Sequence, residues 1–345
     1  MYKKIAFLKL CCPGDLLFTT PAVRAVRAAY PDAELYYLTG KYSSFIPDHN
    51  PHIIKTIIVE PPYEKAGVFS AINAYYRGIN KIAKEEFDLL ICFHRSMFAA
   101  SLGYFGRGAT VIGFQTALPM VDKHIPFDPA AHEVQRYLDL TSIFGCEPEG
   151  TELEYRVDPE DEEKAETLLK KSGISGDFAV IAPGGGENPG TTMHIKRWPT
   201  SGYKAIVSYI KDKFKLPVIA VGSGSECELA ERIEPDLNLA GKTTFPILAA
   251  VLRKSSITLA NDSGPLYLAS AVGTKTVGIY GPSSDDLVAP LAENHRSVKK
   301  PVWCQPCYHP ENVKRGTVGC SSGTWACMLA LDREKVIEAV ESLLG

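Results

Sequence analysis

No apolar run in this sequence approaches the ~18 residues that a membrane-spanning helix needs, which excludes a chain built on transmembrane helices. A basic excess is missing too. The 37 Lys and Arg against 40 Asp and Glu give a formal charge of −3, whereas a dedicated nucleic-acid binder carries net positive charge, so nucleic acid is not an expected partner. There is no G-x-x-x-x-G-K-[ST] loop and no intact G-x-G-x-x-G, so P-loop ATPase and simple dinucleotide chemistries lose their usual phosphate cradles. No Asp-x-Asp pair offers two carboxylates to a catalytic divalent ion, and no short repeat or low-complexity tract interrupts the chain. The N-terminal stretch Met1 to Lys9 starts with charge, but its apolar part is too short for a secretory signal, and a cytoplasmic protein is the expectation.

Cysteine, by contrast, is plentiful, with nine in the chain. Cys11, Cys12, Cys92, Cys146 and Cys227 lie in apolar or turn segments and read as small core residues. The other four are spaced Cys304-x2-Cys307-x12-Cys320-x6-Cys327, and two close pairs of soft thiolates are the ligand set of a structural zinc site. Reduced thiols in a long loop are the competing reading of the same spacing. Gly319-Cys320-Ser321-Ser322-Gly323 matches the nucleophile-elbow pattern by letter, but no apolar strand precedes it and the match is taken as chance.

A chain of 345 residues exceeds what one core usually supports, so two domains are expected. Apolar strand-like runs alternate with amphipathic helical stretches: Ile5 to Leu10, Pro21 to Tyr30, Glu34 to Leu38, Ile53 to Val59, Phe69 to Glu85, Asp88 to Phe93, a helix from Met97, and Val111 to Phe114. Such alternation predicts an α/β fold with parallel sheets flanked by helices. The acidic stretch Asp158 to Lys164 reads as a helix start with a solvated face, and the domain boundary is placed near it, giving 1–172 and 173–345. The second half restarts the cycle with Phe178 to Ala182, a glycine loop, Ser201 to Phe214, Val218 to Val221, a helix from Glu226, Ile257 to Ala260 and Thr276 to Tyr280. Ligands of open parallel sheets bind beyond the carboxyl ends of the strands.

Two turns stand at such ends. Lys9 to Asp15 follows the first strand, and Asn261-Asp262-Ser263-Gly264-Pro265 precedes an apolar helix. Each presents a helix N-terminus, where unpaired N–H groups favour an anion. Asp15 is either an N-cap or a general base that takes a proton from an attacking hydroxyl. Asp262 and Ser263 are either caps or part of a phosphate site. The loop Pro183 to Thr192, leading to Lys196, combines close-approach glycines, Thr191 and Thr192 hydroxyls and a mobile cation, as a diphosphate requires. Glu226 is suited to ribose hydroxyls or to plain dipole compensation. Arg24, Arg27, His94, Arg95, Lys123 and Arg136 are contacts for an anionic glycolipid or ordinary surface charges.

These segments together resemble the bacterial glycosyltransferase family nine, the ADP-heptose:lipopolysaccharide heptosyltransferases. The resemblance runs over nearly the whole chain. It is carried by Gly14 to Arg27, Phe87 to Ile91 with His94-Arg95-Ser96, His132-Glu133-Val134 with Tyr137-Leu138, Thr191-Thr192, Lys196-Arg197-Trp198-Pro199, and Asp262 to Gly264 through Gly281-Pro282. It implies two facing Rossmann-like domains in the GT-B arrangement, the first binding acceptor through Gly14, His94 and Arg95, the second binding a nucleotide sugar. It further implies Asp15 as the base, Lys196 on the donor phosphates, and Thr191, Thr192, Glu226, Asp262, Ser263, Gly264 and Tyr267 in the donor site. The family usually has histidine at the position of Tyr267, and often serines at those of Cys11 and Cys12. Tyrosine keeps one hydrogen bond but carries no imidazolium charge.

The implied activity is an inverting, metal-independent transfer of a sugar, a heptose by resemblance, from a nucleoside diphosphate to a lipopolysaccharide core or related glycan. No cofactor is expected beyond the nucleotide-sugar substrate, and a lipid-linked acceptor would bring the protein into peripheral contact with the inner membrane. Two rivals share the fold: a sugar-nucleotide epimerase or hydrolase, which turns over donor alone, and a noncatalytic nucleotide-sugar-binding protein.

Overall fold

The computed structural model describes residues 2–60, 67–106, 110–116, 119–188, 191–308 and 319–345. The chain forms two compact units, Met1–Arg156 and Val157–Gly345. The second starts earlier than the expected boundary at 172, for a reason visible in the acidic helix. Pro159–Lys171 turns Glu162 and Glu166 onto the helix Phe245–Lys254, where Lys254 Nζ meets them at 3.1 and 2.8 Å. A stretch expected to be a solvated face is thus partly a packing surface, and it carries the boundary back with it.

In the first unit, β1 (Lys4–Leu8), β2 (Glu34–Thr39), β3 (Lys55–Ile58), β4 (Leu89–Cys92), β5 (Thr110–Phe114) and β6 (Lys123–Ile125) form one parallel sheet in the order β3-β2-β1-β4-β5-β6. The central strands β1 and β4 are covered on both faces by helices, which is why they read as unbroken apolar runs rather than as alternating ones. Ile5 pairs with Leu35 on one side and Leu89 on the other, and Phe7 stacks on Phe93 with centroids 5.8 Å apart. Helix Thr20–Ala29 buries Ala22, Val23, Ala25 and Val26 on its inner stripe and turns Arg24 and Arg27 outward.

The second unit repeats the plan. Its strands are β7 (Ala179–Ala182), the hairpin β8 (Glu187–Asn188) and β9 (Thr191–Thr192), then β10 (Val218–Ala220), β11 (Leu237–Asn238), β12 (Ile257–Asn261), β13 (Thr276–Tyr280) and β14 (His295–Lys299). Leaving the hairpin aside, they make a parallel sheet in the order β11-β10-β7-β12-β13-β14, the same doubly wound topology as the first. In such a sheet the strand order reverses between the first and fourth strands. Hence the crevices lie beyond β1 and β4 in one unit, and beyond β7 and β12 in the other.

The alternating strands and helices of the sequence are present as expected. Three edge strands, β6, β11 and β14, had no apolar signature, since an edge strand with one solvated face has no need of a continuous hydrophobic run. The glycine loop also contains more order than a bare loop, because β8 and β9 pair Glu187 with Thr192 and Asn188 with Thr191.

One half-buried titratable group in this framework sets a pH limit. His295 on β14 places Nδ1 2.9 Å from the Thr276 hydroxyl, and burial together with the Arg296 charge pushes its pKa down from 6.5 to about 4. The unfolded chain binds the proton first, so this contribution is complete above pH 6.5 and is lost as pH falls towards 4. Thermal unfolding across that window should show a loss on the order of 1–3 kcal/mol attributable to this site, and His295→Asn should flatten the slope. Equal slopes for the two proteins would rule out His295 as the cause.

Candidate active site

The second unit gathers its polar residues at the carboxyl ends of β7 and β12. Asp262 follows β12 directly and is buried. Its Oδ2 accepts from Lys196 Nζ at 2.7 Å and from the Ser283 hydroxyl, and its Oδ1 accepts from the Tyr267 hydroxyl. Burial raises the carboxyl pKa, but the Lys196 charge and the three donors outweigh it and hold the group below its usual range. Asp262 is therefore an anion caged by donors. Lys196, only 9% exposed, ends the short turn His194–Lys196, and its ammonium also lies 4.2 Å from the centre of the Tyr308 ring. An ammonium has three N–H donors, so pairing with Asp262 leaves capacity for an anionic ligand while fixing the direction from which it is offered.

Ser263 is the N-cap residue of helix Gly264–Ala271, with Pro265 in the first turn. Its hydroxyl donates back to the Asn261 carbonyl at 3.1 Å and makes no side-chain cap, so the helix start keeps backbone donors that an anion can use. Gly186 lies against it: a Cβ on Gly186 would stand 3.6 Å from Ser263 Cβ. The glycine loop and the Asp262 turn are thus neighbours. Residues 189–190 and the Thr191 side chain lie outside the described residues, while Thr192 is half-buried on β9.

Glu226 is held by two local partners. Its Oε2 accepts from Ser223 N–H at 3.1 Å in a capping box, and its Oε1 pairs with Arg197 Nη2 at 3.2 Å. Local helix capping accounts for one oxygen and an ion pair for the other. Even so, the carboxylate is held inside the crevice. A Cβ on Gly184 would fall 2.1 Å from Glu226 Oε1, so a side chain there would displace that carboxylate.

Asn261 was read as part of the Asp262 turn but given no role of its own. Its Nδ2 donates to the carbonyls of Pro183 and Gly184 at 2.9 and 2.8 Å, and its Oδ1 accepts from Trp198 N–H at 3.2 Å. One buried amide therefore ties the glycine loop, the Lys196 turn and the end of β12 together. Its signal was a polar residue closing an otherwise apolar buried strand.

In the first unit, Asp15 stands in the first turn of helix Pro13–Leu17, whose N-cap is Cys12. The cap reading of Asp15 is thereby excluded. Its side chain is 42% exposed and lies 4.0 Å from the ammonium of Lys9, which is itself buried and donates to the Tyr137 hydroxyl at 2.8 Å. Burial lowers the pKa of Lys9, but Asp15 and Glu133 raise it further, so Lys9 remains charged. Gly14 precedes Asp15 in the same turn. His94 follows β4, and its Nε2 accepts from Leu10 N–H at 2.7 Å, clamping the two loops at the crevice. Burial and the Lys9 charge drive its pKa well below 6.5, so His94 is neutral and cannot serve as a cationic contact for an anionic acceptor.

The other candidate cations divide. Arg24 binds the carbonyls of Glu149 and Glu152, Arg27 those of Pro31, Ala33 and His52, and buried Arg136 those of Asp128 and Pro129. These three are spent on structure. Arg95 is exposed, with its guanidinium 3.8 Å from the centre of the Phe127 ring. Of the lone cysteines, Cys92 and Cys146 are buried as expected, but Cys227 is exposed.

The profile of glycosyltransferase family 9 (heptosyltransferase) matches residues 76–317. The lipopolysaccharide core heptosyltransferase OpsX of Haemophilus influenzae is 24% identical over 293 residues, covering 81% of this chain and 79% of that protein. Among solved structures, a glycosyl transferase of family 9 from Veillonella parvula superposes with a TM-score of 0.81 at 21% identity, covering 99% of this chain and 97% of that one. The E. coli ADP-heptose lps heptosyltransferase II gives 0.76 at 19% identity, with 99% and 98% covered. The chain belongs to glycosyltransferase family 9, the heptosyltransferases.

Proposed function

We propose that this chain transfers a heptose from ADP-heptose to the core of a lipopolysaccharide by an inverting single displacement without a catalytic metal. The observation that carries the reading is the buried Lys196–Asp262 pair beside the glycine loop and the start of helix Gly264–Ala271. In a heptosyltransferase-family chain this is a ready anion site at a strand-order reversal, suited to a diphosphate. Lys196, Thr192 and the N–H groups at Gly264 meet the leaving charge, a preorganised electrostatic contribution that needs no reorganisation during the reaction. The names of the relatives, one an ADP-heptose enzyme and one acting on the lipopolysaccharide core, support this choice of donor and acceptor.

The acceptor hydroxyl oxygen attacks the anomeric carbon and its proton passes to the Asp15 carboxylate. The bond from that carbon to the diphosphate oxygen breaks, and its electron pair stays on the nucleotide. The buried Lys9 ammonium stands 4.0 Å behind the Asp15 carboxylate and helps orient it. Gly14 and Arg95 contribute to the acceptor side, and His94 acts there only by holding the loops. A glycolipid acceptor draws the chain to a membrane surface. Exposed Val68, Phe69, Ile72 and Tyr76 on helix Val68–Ala83 support contact there.

Asp15→Asn should keep the fold and lower kcat by about 10²–10⁴ in a transfer assay with ADP-heptose and heptose-deficient lipopolysaccharide. Near wild-type transfer by this variant would remove Asp15 from the role of base. ADP release at an equal rate without acceptor would replace transfer by hydrolysis.

Tyr267→Phe removes one donor to the Asp262 carboxylate and nothing from the first unit. Donor kcat/KM should fall roughly tenfold, in line with the loss of a hydrogen bond to a charged group, while acceptor KM stays unchanged. Equal effects on both substrates would mean that Tyr267 serves general stability instead.

A further inference from the structure

The four C-terminal cysteines are separated by a long loop in sequence, yet they line one hollow together with Ile195 and Pro282. All four are free thiols. The hollow adjoins the donor site described above. Ile195 precedes Lys196, Pro282 precedes the Ser283 that binds Asp262, and Cys307 precedes the Tyr308 whose ring lies under the Lys196 ammonium. The Pro282 carbonyl accepts from both Cys307 and Tyr308 N–H groups, at 2.9 and 3.0 Å. We propose that Cys304, Cys307, Cys320 and Cys327 are the ligands of one thiophilic dication, zinc or ferrous iron, which anchors the loop that holds Tyr308 against Lys196.

The turn around Cys320 is built to stabilise a thiolate. Its Sγ accepts from Trp325 N–H at 3.4 Å and lies 3.4 Å from the Ser322 hydroxyl. Amides directed at a ligand sulfur are the outer-layer bonds that orient metal ligands. Cys327 packs against Gly281, where an added Cβ would meet its sulfur at 3.4 Å. A dication among four thiolates would offset their mutual repulsion.

No three of the sulfurs lie within 4.8 Å of one another, and the Ser322 hydroxyl is in contact with two of them, 3.8 Å from Cys304 Sγ and 3.4 Å from Cys320 Sγ. Binding requires that hydroxyl to turn aside and the sulfurs to close to metal–thiolate distance. Each thiol still protonated releases its proton to solvent.

The test uses the full-length protein purified under reducing conditions without chelator. Elemental mass spectrometry should find one zinc or one iron per chain and so decide between them. After metal removal, titration with Co²⁺ should give the visible spectrum of a tetrahedral thiolate site, saturating at one ion per chain. Cys304→Ser/Cys320→Ser, shown to be folded by circular dichroism, should lose both signals. No bound metal together with no such Co²⁺ spectrum in the wild-type chain would overturn the site, as would a disulfide between any of these cysteines in freshly isolated, thiol-blocked protein. The anchoring role rests on the donor reading of Lys196: metal removal should raise donor KM several-fold and leave acceptor KM unmoved. Stoichiometric metal whose removal leaves donor KM unchanged would overturn the anchoring while leaving Lys196 to be judged by the transfer assays.

Discussion

A buried ion pair, Lys196 with Asp262, is the constraint around which the second unit is arranged. Taking two charges out of water costs several kcal/mol each, and their attraction offsets this only when the remaining lone pairs and protons also find partners. Asp262 meets that condition through Ser283 and Tyr267, contributed by the segment after β13 and by the helix after β12. Lys196 meets it partly through the Tyr308 ring. The loops at this end of the sheet are thus held by one electrostatic requirement, with the Asn261 amide fixing the backbone beside it.

The first unit, with the same strand order, puts its charge to a different use. Its buried cation, Lys9, stands behind a half-exposed carboxylate, Asp15, instead of in front of a caged one. Tyr137 and the His94 clamp complete the setting. One topology therefore yields a unit whose carboxylate is caged by a buried cation and a unit whose carboxylate is left half-exposed. The difference lies in which partner of each pair is sequestered, a matter of a few side chains on equivalent loops.

Much of the layout was legible in the chain because it depends on short-range physics. A strand buried on both faces reads as an apolar run, as Ile5 to Leu8 and Ala179 to Ala182 do, and a helix against a sheet must show its stripe, as Ala22 to Val26 does. Turns at the strand ends announce themselves by Gly14, Gly184 to Gly186 and Gly264. Edge strands such as Lys123–Ile125 escape this reading because exposure frees them from any pattern. The acidic helix shows the converse error: Glu162 and Glu166 look solvated in sequence and are engaged by Arg253 and Lys254 in the fold.

The sequence alone determined the fold class, the positions of the two turns at the strand ends, and the inventory of candidate groups. Only tertiary structure decided what each group is joined to. It made Tyr267 a partner of Asp262, paired Glu226 with Arg197 over a glycine, turned His94 into a neutral acceptor, and brought four distant cysteines to one hollow. The reason is that periodicity records which side of an element is buried, whereas a hydrogen bond or ion pair depends on the few ångströms between residues far apart in the chain. That separation is set by strand order and register, which no local pattern encodes.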